Sequence, residues 1–235
     1  MKAALLIVLT MGALAIGLRS SPDSRPTELA RFDTPLAGRT PGQRHNAAWA
    51  AKRLSGAVIR PGATLSFNER VGHWISSEGA ARAPVSFGGT LAVSWGGGVC
   101  QTSTTLYNAA LLAGLTIVER HPHDVAPLYV PAGLDAAVAQ GIADLKLKNP
   151  WPVPVRIHAT AEGKRLIVRV EALGRVEKPE IRTAVETVSV QAAPDAPGLK
   201  RQVGRDGARV RVWRIVGDQW EDCGESEYAP IPRAD

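Results

Sequence analysis

The segment GGGVCQTSTTLYNAALLAG, residues 96–114, puts Cys100 behind a run of glycines and at the head of a stretch with helical spacing. A thiol there sits among the unpaired N–H groups and at the positive end of a helix dipole, and both stabilise a thiolate. Such surroundings bring a cysteine pKa from about 8.5 down to roughly 3.5 to 7.5. Glycines just upstream let the backbone, or a substrate, approach without meeting a Cβ. The chemistry implied is nucleophilic. The plainer reading is a tight turn around a small buried cysteine. Other glycine-rich devices are excluded. No Gly-Lys-Ser/Thr ending completes a phosphate loop, and no G-x-G-x-x-G opens a βαβ unit. Thr102 stands where a hydrolase elbow needs glycine.

A nucleophilic thiol needs a base, itself oriented by a third group. His121 and His123, within His-Pro-His-Asp at 121–124, follow the strand that leaves the cysteine-bearing helix. Consecutive elements usually neighbour each other in space, so either imidazole can reach the thiol. Pro122 turns the chain after His121, which favours His123 as the base and leaves His121 to shape the wall of the site. The plainer reading is a pair of surface loop histidines. His45 falls in an early helix, His158 on the polar face of a strand, and His73 in a loop without an assigned role.

These residues need a scaffold, and its elements are partly readable. Residues 20–41 are proline-punctuated and aperiodic, hence an extended lead-in. A helix is expected over 42–54, where Ala47, Ala50, Ala51 and Leu54 share a face and Gly56 can end it. A short strand follows at 64–67. Thr102, Ser103 and Thr104 can cap the helix after the glycines, with Leu106, Ala109, Ala110 and Ala113 on one face and Gly114 as its stop. Residues 115–120 read as a strand, 153–159 and 164–172 as a hairpin turning at Glu162-Gly163, and 208–216 as a strand with basic residues on one face. Helices and antiparallel strands in separate runs, without a βαβ repeat, give an α+β fold. One mixed helix/antiparallel-sheet domain over 31–174 is expected, with a β-rich C-terminal extension over 175–235.

The 235 residues are 45% hydrophobic and 21% charged, enough for a well-filled core. Lys and Arg number 28 against 22 Asp and Glu, an excess that suits an anionic partner without choosing among nucleic acid, membrane surface and wall polymer. Lys2 and the apolar run at 3–18 read as a signal peptide, or as an anchor if it stays uncleaved; residues 1–19 are assigned to it and 20–30 to the lead-in. In both cases the rest of the chain is exported to the cell envelope, and an uncleaved segment ties it to the membrane. Cys100 and Cys223 cannot form a tetrahedral zinc site alone, and no metal or cofactor is expected. Whether the two cysteines pair, and whether the chain forms oligomers, is left open by the sequence.

The stretches RHNAAWAAKRL, IRPGATLSFNERVG, GGGVCQTSTTLYNAALLAGLTIVERHPHD, YVPAGLDAAVAQG and DLKLKNPWPVPVRI, spread over about 31–172, together resemble the VanW domain of bacterial envelope proteins. The tail after it more weakly resembles a β-rich extension of longer members. Some members of that family are regarded as L,D-transpeptidases, which crosslink peptidoglycan stem peptides through a cysteine. The resemblance implies Cys100 as nucleophile, His121 and His123 as the family's His-Pro-His, and peptidoglycan stem peptides, not nucleic acid, as partner. Asp124 and Leu134 depart from the residues common at those places. Asp135 could orient the histidine, and the backbone N–H groups of Cys100 and Gln101 could form an oxyanion hole. Gly97, Gly98, Gln101, Ser103 and Thr104 are expected to line the bound peptide. Two other classes stay open: a non-catalytic wall- or glycopeptide-binding module, and a cysteine endopeptidase that uses water as acceptor.

Overall fold

The computed structural model describes residues 25–87, 90–196 and 203–234. The expected targeting segment at 1–19 lies outside them. Among the described residues no helix is long and apolar enough to cross a membrane.

The cysteine-bearing helix, α3 (Val99–Leu112), is the centre of the molecule, with every side chain from Gln101 to Leu111 buried. Such a helix must be covered all round. One cover is the antiparallel sheet of β1 (Thr27–Pro35), β9 (Arg165–Ala172), β8 (Val155–Glu162) and β2 (Val58–Ile59), in that order. Helix α1 (Pro41–Leu54) is another, packing Ala47, Ala50, Ala51 and Leu54 into the same core. Its first turn is set by Thr40, whose side chain accepts from Gln43 N while Gln43 Oε1 accepts from Thr40 N. The β8–β9 hairpin forms where alternation placed it, closing Glu162 on Arg165 across Gly163 at φ 55°.

Strand β1 was not readable as one. Thr27–Pro35 lies within the expected lead-in, yet it pairs with β9 along its length and buries Leu29, Ala30 and Thr34. A register shift between Glu28 and Ala30 breaks the alternation there, which hides the pattern from sequence.

A second sheet orders β3 (Thr64–Ser66), β7 (Lys146–Lys148) and β6 (Thr116–Glu119). The hairpin of β4 (Arg82–Phe87) and β5 (Thr90–Trp95) runs straight into the glycines before Cys100. A third sheet, β10 (Ile181–Gln191), β11 (Gly207–Val216) and β12 (Gln219–Tyr228), forms the C-terminal extension, so the fold is α+β with a β-rich C-terminal part. The basic stripe of β11 faces acids of β12. Arg209 and Arg211 both reach Glu225, and Arg214 meets Glu221 at 2.6 Å. Little unpaired charge on that stripe remains for an anionic polymer.

Helix α3 begins earlier than its hydroxyl residues suggest. Gly98 is the N-cap residue, at φ 109°, and no side chain caps the helix. Thr102, Ser103 and Thr104 therefore lie inside the first turns, with no more than trace exposure. Thr102 Oγ1 donates to Ala47 O at 3.1 Å and Ser103 Oγ to Ala136 O at 2.6 Å, which satisfies buried hydroxyls that a cap would have left facing water. The glycines are needed for close approach to the protein itself. A Cβ on Gly97 would run into Pro84 O and one on Gly98 into Gln43 O. Asn46 fixes this turn, donating to Gly97 O and Ala81 O at 2.9 Å each.

Gly98→Ala is expected to cost about 3 kcal/mol in denaturant unfolding, because strain at positive φ adds to the clash with Gln43. Gly141→Ala, at φ 71° with open space around it, should cost only about 1 kcal/mol. Equal costs would show that the Gln43 contact does not constrain the turn.

Candidate functional site

Cys100 is the second residue of α3 and is half-buried. Its Sγ lies 3.4 Å from Val138 O and within hydrogen-bonding reach of the His123 ring. His123 is carried there by the chain leaving β6. That chain bridges antiparallel to the 135–138 segment, with Ala137 N donating to His121 O at 2.8 Å. Asp135, fully buried on the same segment, accepts from His123 Nδ1 at 2.6 Å and from the His123 backbone N at 2.8 Å. With Nδ1 engaged, the other ring nitrogen is the one left for the thiol. The structure thus brings Cys100, His123 and Asp135 together.

The same carboxylate is held from its other oxygen. Arg120 Nη2 donates to Asp135 Oδ1 at 2.8 Å, and the Tyr228 hydroxyl donates to that oxygen as well. Arg120 Nε also meets Asp135 O at 2.6 Å, and Gly133 N donates to Tyr228 Oη at 2.7 Å. Burial raises the Asp135 pKa, but the His123 hydrogen bond and the Arg120 charge outweigh it and hold the carboxyl below its usual range. For His123, burial favours the neutral ring. Hydrogen bonds to Asp135 and Cys100 prevail and lift its pKa to about 10. Burial also works against the Cys100 thiolate, yet the His123 hydrogen bond and charge, helped by the Val138 backbone, bring the thiol below its ordinary value. The pairing favours a thiolate against an imidazolium. A protonated His123 is placed to give its proton to a leaving group.

His121 is elsewhere. Its Nε2 meets Glu119 Oε1 at 3.0 Å on the surface, where Glu119 also binds Lys146 at 2.8 Å. Gln101 is buried and donates from Nε2 to Thr34 Oγ1 at 3.0 Å and Pro35 O at 2.8 Å. Ser103 and Thr104 are wholly buried, and Gly97 and Gly98 press on Pro84 and Gln43. These five frame the nucleophile from beneath, with almost no side-chain surface facing a ligand. Of the two N–H groups expected to hold an oxyanion, that of Gln101 is taken by Gly98 O at 3.1 Å. The Cys100 N–H meets no protein acceptor among the described residues. No group of three His, Cys, Asp or Glu able to hold a metal ion occurs among the described residues.

Four residues went unread in the sequence: Arg120, Tyr129, Ser226 and Tyr228. Arg120 directly precedes the His-Pro-His and could have been found as a charge beside it. Tyr228 and Ser226 lie about a hundred residues from their partners, at 3.3 and 2.5 Å from Arg120, and nothing local marks them. Tyr129 Oη sits 3.5 Å from Cys100 O and 3.4 Å from Thr104 Oγ1. Cys223 is free, as is Cys100; burial first, then Glu221 and Asp222, raises its thiol pKa against the opposing charge of Arg214.

The pH dependence follows in sign. His123 takes up its proton more readily when folded, so the stabilisation from its protonation is full below its ordinary 6.5 and is lost as pH climbs through about 10. In a Cys223→Ser background, alkylation of Cys100 should therefore show a midpoint below that of an ordinary free thiol. His123→Ala leaves desolvation dominant and should move the alkylation midpoint above the free-thiol value of about 8.5. His121→Ala should leave it unmoved. A shift with His121→Ala and none with His123→Ala would reverse their roles.

The comparisons with known proteins bear on the same segment. Residues 42–171, more than half of the chain, match the family model described as VanW like protein. The uncharacterized protein YoaR of Bacillus subtilis is 36% identical over 141 residues, covering 60% of this chain and 46% of that protein. The vancomycin B-type resistance protein VanW of Enterococcus faecalis is 30% identical over 159 residues, 66% of this chain and 57% of that one. The chain thus spans about half the length of these relatives. No solved structure gives a significant match. On the extent of the family match, the chain belongs to the VanW-like family.

Proposed function

We propose that the protein is a cysteine-dependent L,D-transpeptidase that works on peptidoglycan stem peptides in the cell envelope. The observation that carries this reading is the succession of Cys100, His123 and Asp135, in which a largely buried thiol meets an imidazole fixed by a buried carboxylate. The printed name of the Enterococcus relative supports a wall-related role, and the apolar run at 3–18 supports export. Fractionation that found the full-length chain soluble in the cytoplasm would remove the substrate from its reach.

The Cys100 thiolate attacks the carbonyl carbon between the third and fourth stem residues. The carbonyl oxygen takes the negative charge beside the Cys100 N–H at the start of α3. The tetrahedral adduct collapses by breaking the C–N bond, and the His123 imidazolium gives its proton to the departing amine of the terminal D-amino acid. A thioester remains. A side-chain amine of a second stem then attacks that carbonyl, His123 takes the proton of the amine, and Cys100 leaves as thiolate. With water in place of the amine, the same steps hydrolyse the peptide. Asp135 keeps its charge throughout; its part is to orient His123 and to favour the imidazolium.

Intact-protein mass after incubation with a disaccharide-tetrapeptide tests this directly. The wild type should gain the mass of the disaccharide-tripeptide acyl group, and an added amine acceptor should discharge it. Cys100→Ala should gain nothing. A wild type that binds the muropeptide but forms no adduct and releases no D-amino acid would instead be a non-catalytic wall-binding module.

A further inference from the structure

We propose that Arg39 binds the C-terminal carboxylate of the peptide on which Cys100 acts, and so selects substrates that end one residue beyond the bond to be broken. The inference rests on the acyl-transfer reading for its substrate, but its own evidence is separate. The Arg39 guanidinium carbon lies 4.5 Å from the centroid of the Tyr129 ring. The hydroxyl of that ring is the one beside Cys100 O. Arg39, Tyr129, Cys100 and His123 are each partly buried, so all four keep some exposed surface.

The Arg39 side chain is uncommitted. Among the described residues no carboxylate or carbonyl accepts from its guanidinium, whereas Arg120, Arg209, Arg211 and Arg214 each hold an acid. Stacking on a tyrosine uses the face of the guanidinium and leaves its edge of N–H donors open. Burial lowers the Arg39 pKa, the cost of a cation taken partly out of water without a counter-ion. An incoming carboxylate would supply that ion, and a planar fork binds it in bidentate fashion.

The backbone beneath Arg39 is fixed with respect to the thiol. Gln101, the residue after the nucleophile, donates to Pro35 O at 2.8 Å. Leu36 N donates to Lys164 O at 2.7 Å, and Arg39 N closes a turn on Leu36 O at 3.3 Å. Arg44 Nη1 then holds Arg39 O at 2.5 Å. A firmly held main chain with a free charged head is the arrangement of a ligand contact. Tyr129 links the two, with the guanidinium over its ring and its hydroxyl beside Cys100 O, and one or two residues of extended peptide cover roughly 3.3–3.6 Å each. The carboxylate of the departing residue is the substrate anion at that range from the scissile carbonyl. Arg39 lies outside the residues matched by the family model.

The test is binding to Cys100→Ala, which cannot react, by calorimetry. The probes are L-alanyl-D-isoglutaminyl-L-lysyl-D-alanine, whose one carboxylate is C-terminal, and the same peptide as its C-terminal amide. The acid is expected to bind about tenfold or more tightly than the amide, the worth of a charged hydrogen-bonded pair. Arg39→Gln in the same background should erase that preference, and Arg39→Lys should restore part of it. Loss of stacking alone would weaken both peptides together and leave their ratio unchanged. Equal binding of acid and amide, a preference that survives Arg39→Gln, or no binding of either peptide would overturn the proposal. Because the background cannot react, a failure here differs from failure of the wild type to form an acyl adduct, which would sink the acyl-transfer reading alone.

Discussion

Asp135 is a carboxylate without solvent exposure, and an isolated charge in that position would be neutralised by proton uptake. It stays ionised because four hydrogen bonds reach its two oxygens: the backbone and ring of His123 on one, Arg120 and Tyr228 on the other. Removing one partner from a buried charged cluster of this kind typically costs about 3–5 kcal/mol, so the arrangement is strongly determined. Its catalytic value is indirect. A fixed anion behind His123 makes the imidazolium the stable form, and the imidazolium in turn favours the thiolate of Cys100 against both its desolvation and the direct repulsion of Asp135.

This one interaction explains why distant parts of the chain are needed together. Arg120 comes from the end of β6, Asp135 from the loop beyond it, and Tyr228 from the last long strand of the extension. The extension is therefore built into the site. Gly133 shows the same closeness, since a Cβ there would meet Val210 and Val212 of β11, and Ala229 N donates to Asp124 O at 2.7 Å beside the histidines. Beneath the thiol, β1 and α1 perform the matching task for α3, through Thr34 on Gln101 and Ala47 on Thr102. The matched family segment at 42–171 includes neither β1 nor β12.

The sequence showed most clearly what is local. The helix around Ala47 and Ala50, the β8–β9 hairpin and the strand at 115–120 follow from periodicity and turn residues alone. Cys100, His123 and Asp135 could be singled out because a thiol at a helix start implies a base and an orienting acid. The glycine and hydroxyl residues around Cys100 misled for a physical reason. Small and polar residues suit a ligand site, but they also suit a crowded helix start whose hydroxyls bond neighbouring carbonyls, as Ser103 does with Ala136. Strands β1, β10 and β12 were missed because their partners, and a bulge in each of the three pairings, decide which residues turn inward. Tyr228 could not be foreseen, since its role exists only once β12 is folded against the Asp135 loop.

The claim that Asp135 sets the charge state of the site is tested most directly by thiolate ultraviolet absorbance across pH, in a Cys223→Ser background. Asp135→Asn, with its fold checked by circular dichroism, should raise the onset of Cys100 ionisation by about one pH unit or more. Tyr228→Phe, which keeps the ring and removes one hydrogen bond, should raise it by less. Identical titrations in the parent and both folded variants would contradict the claim, and would mean that His123 holds the thiolate without help from the carboxylate behind it.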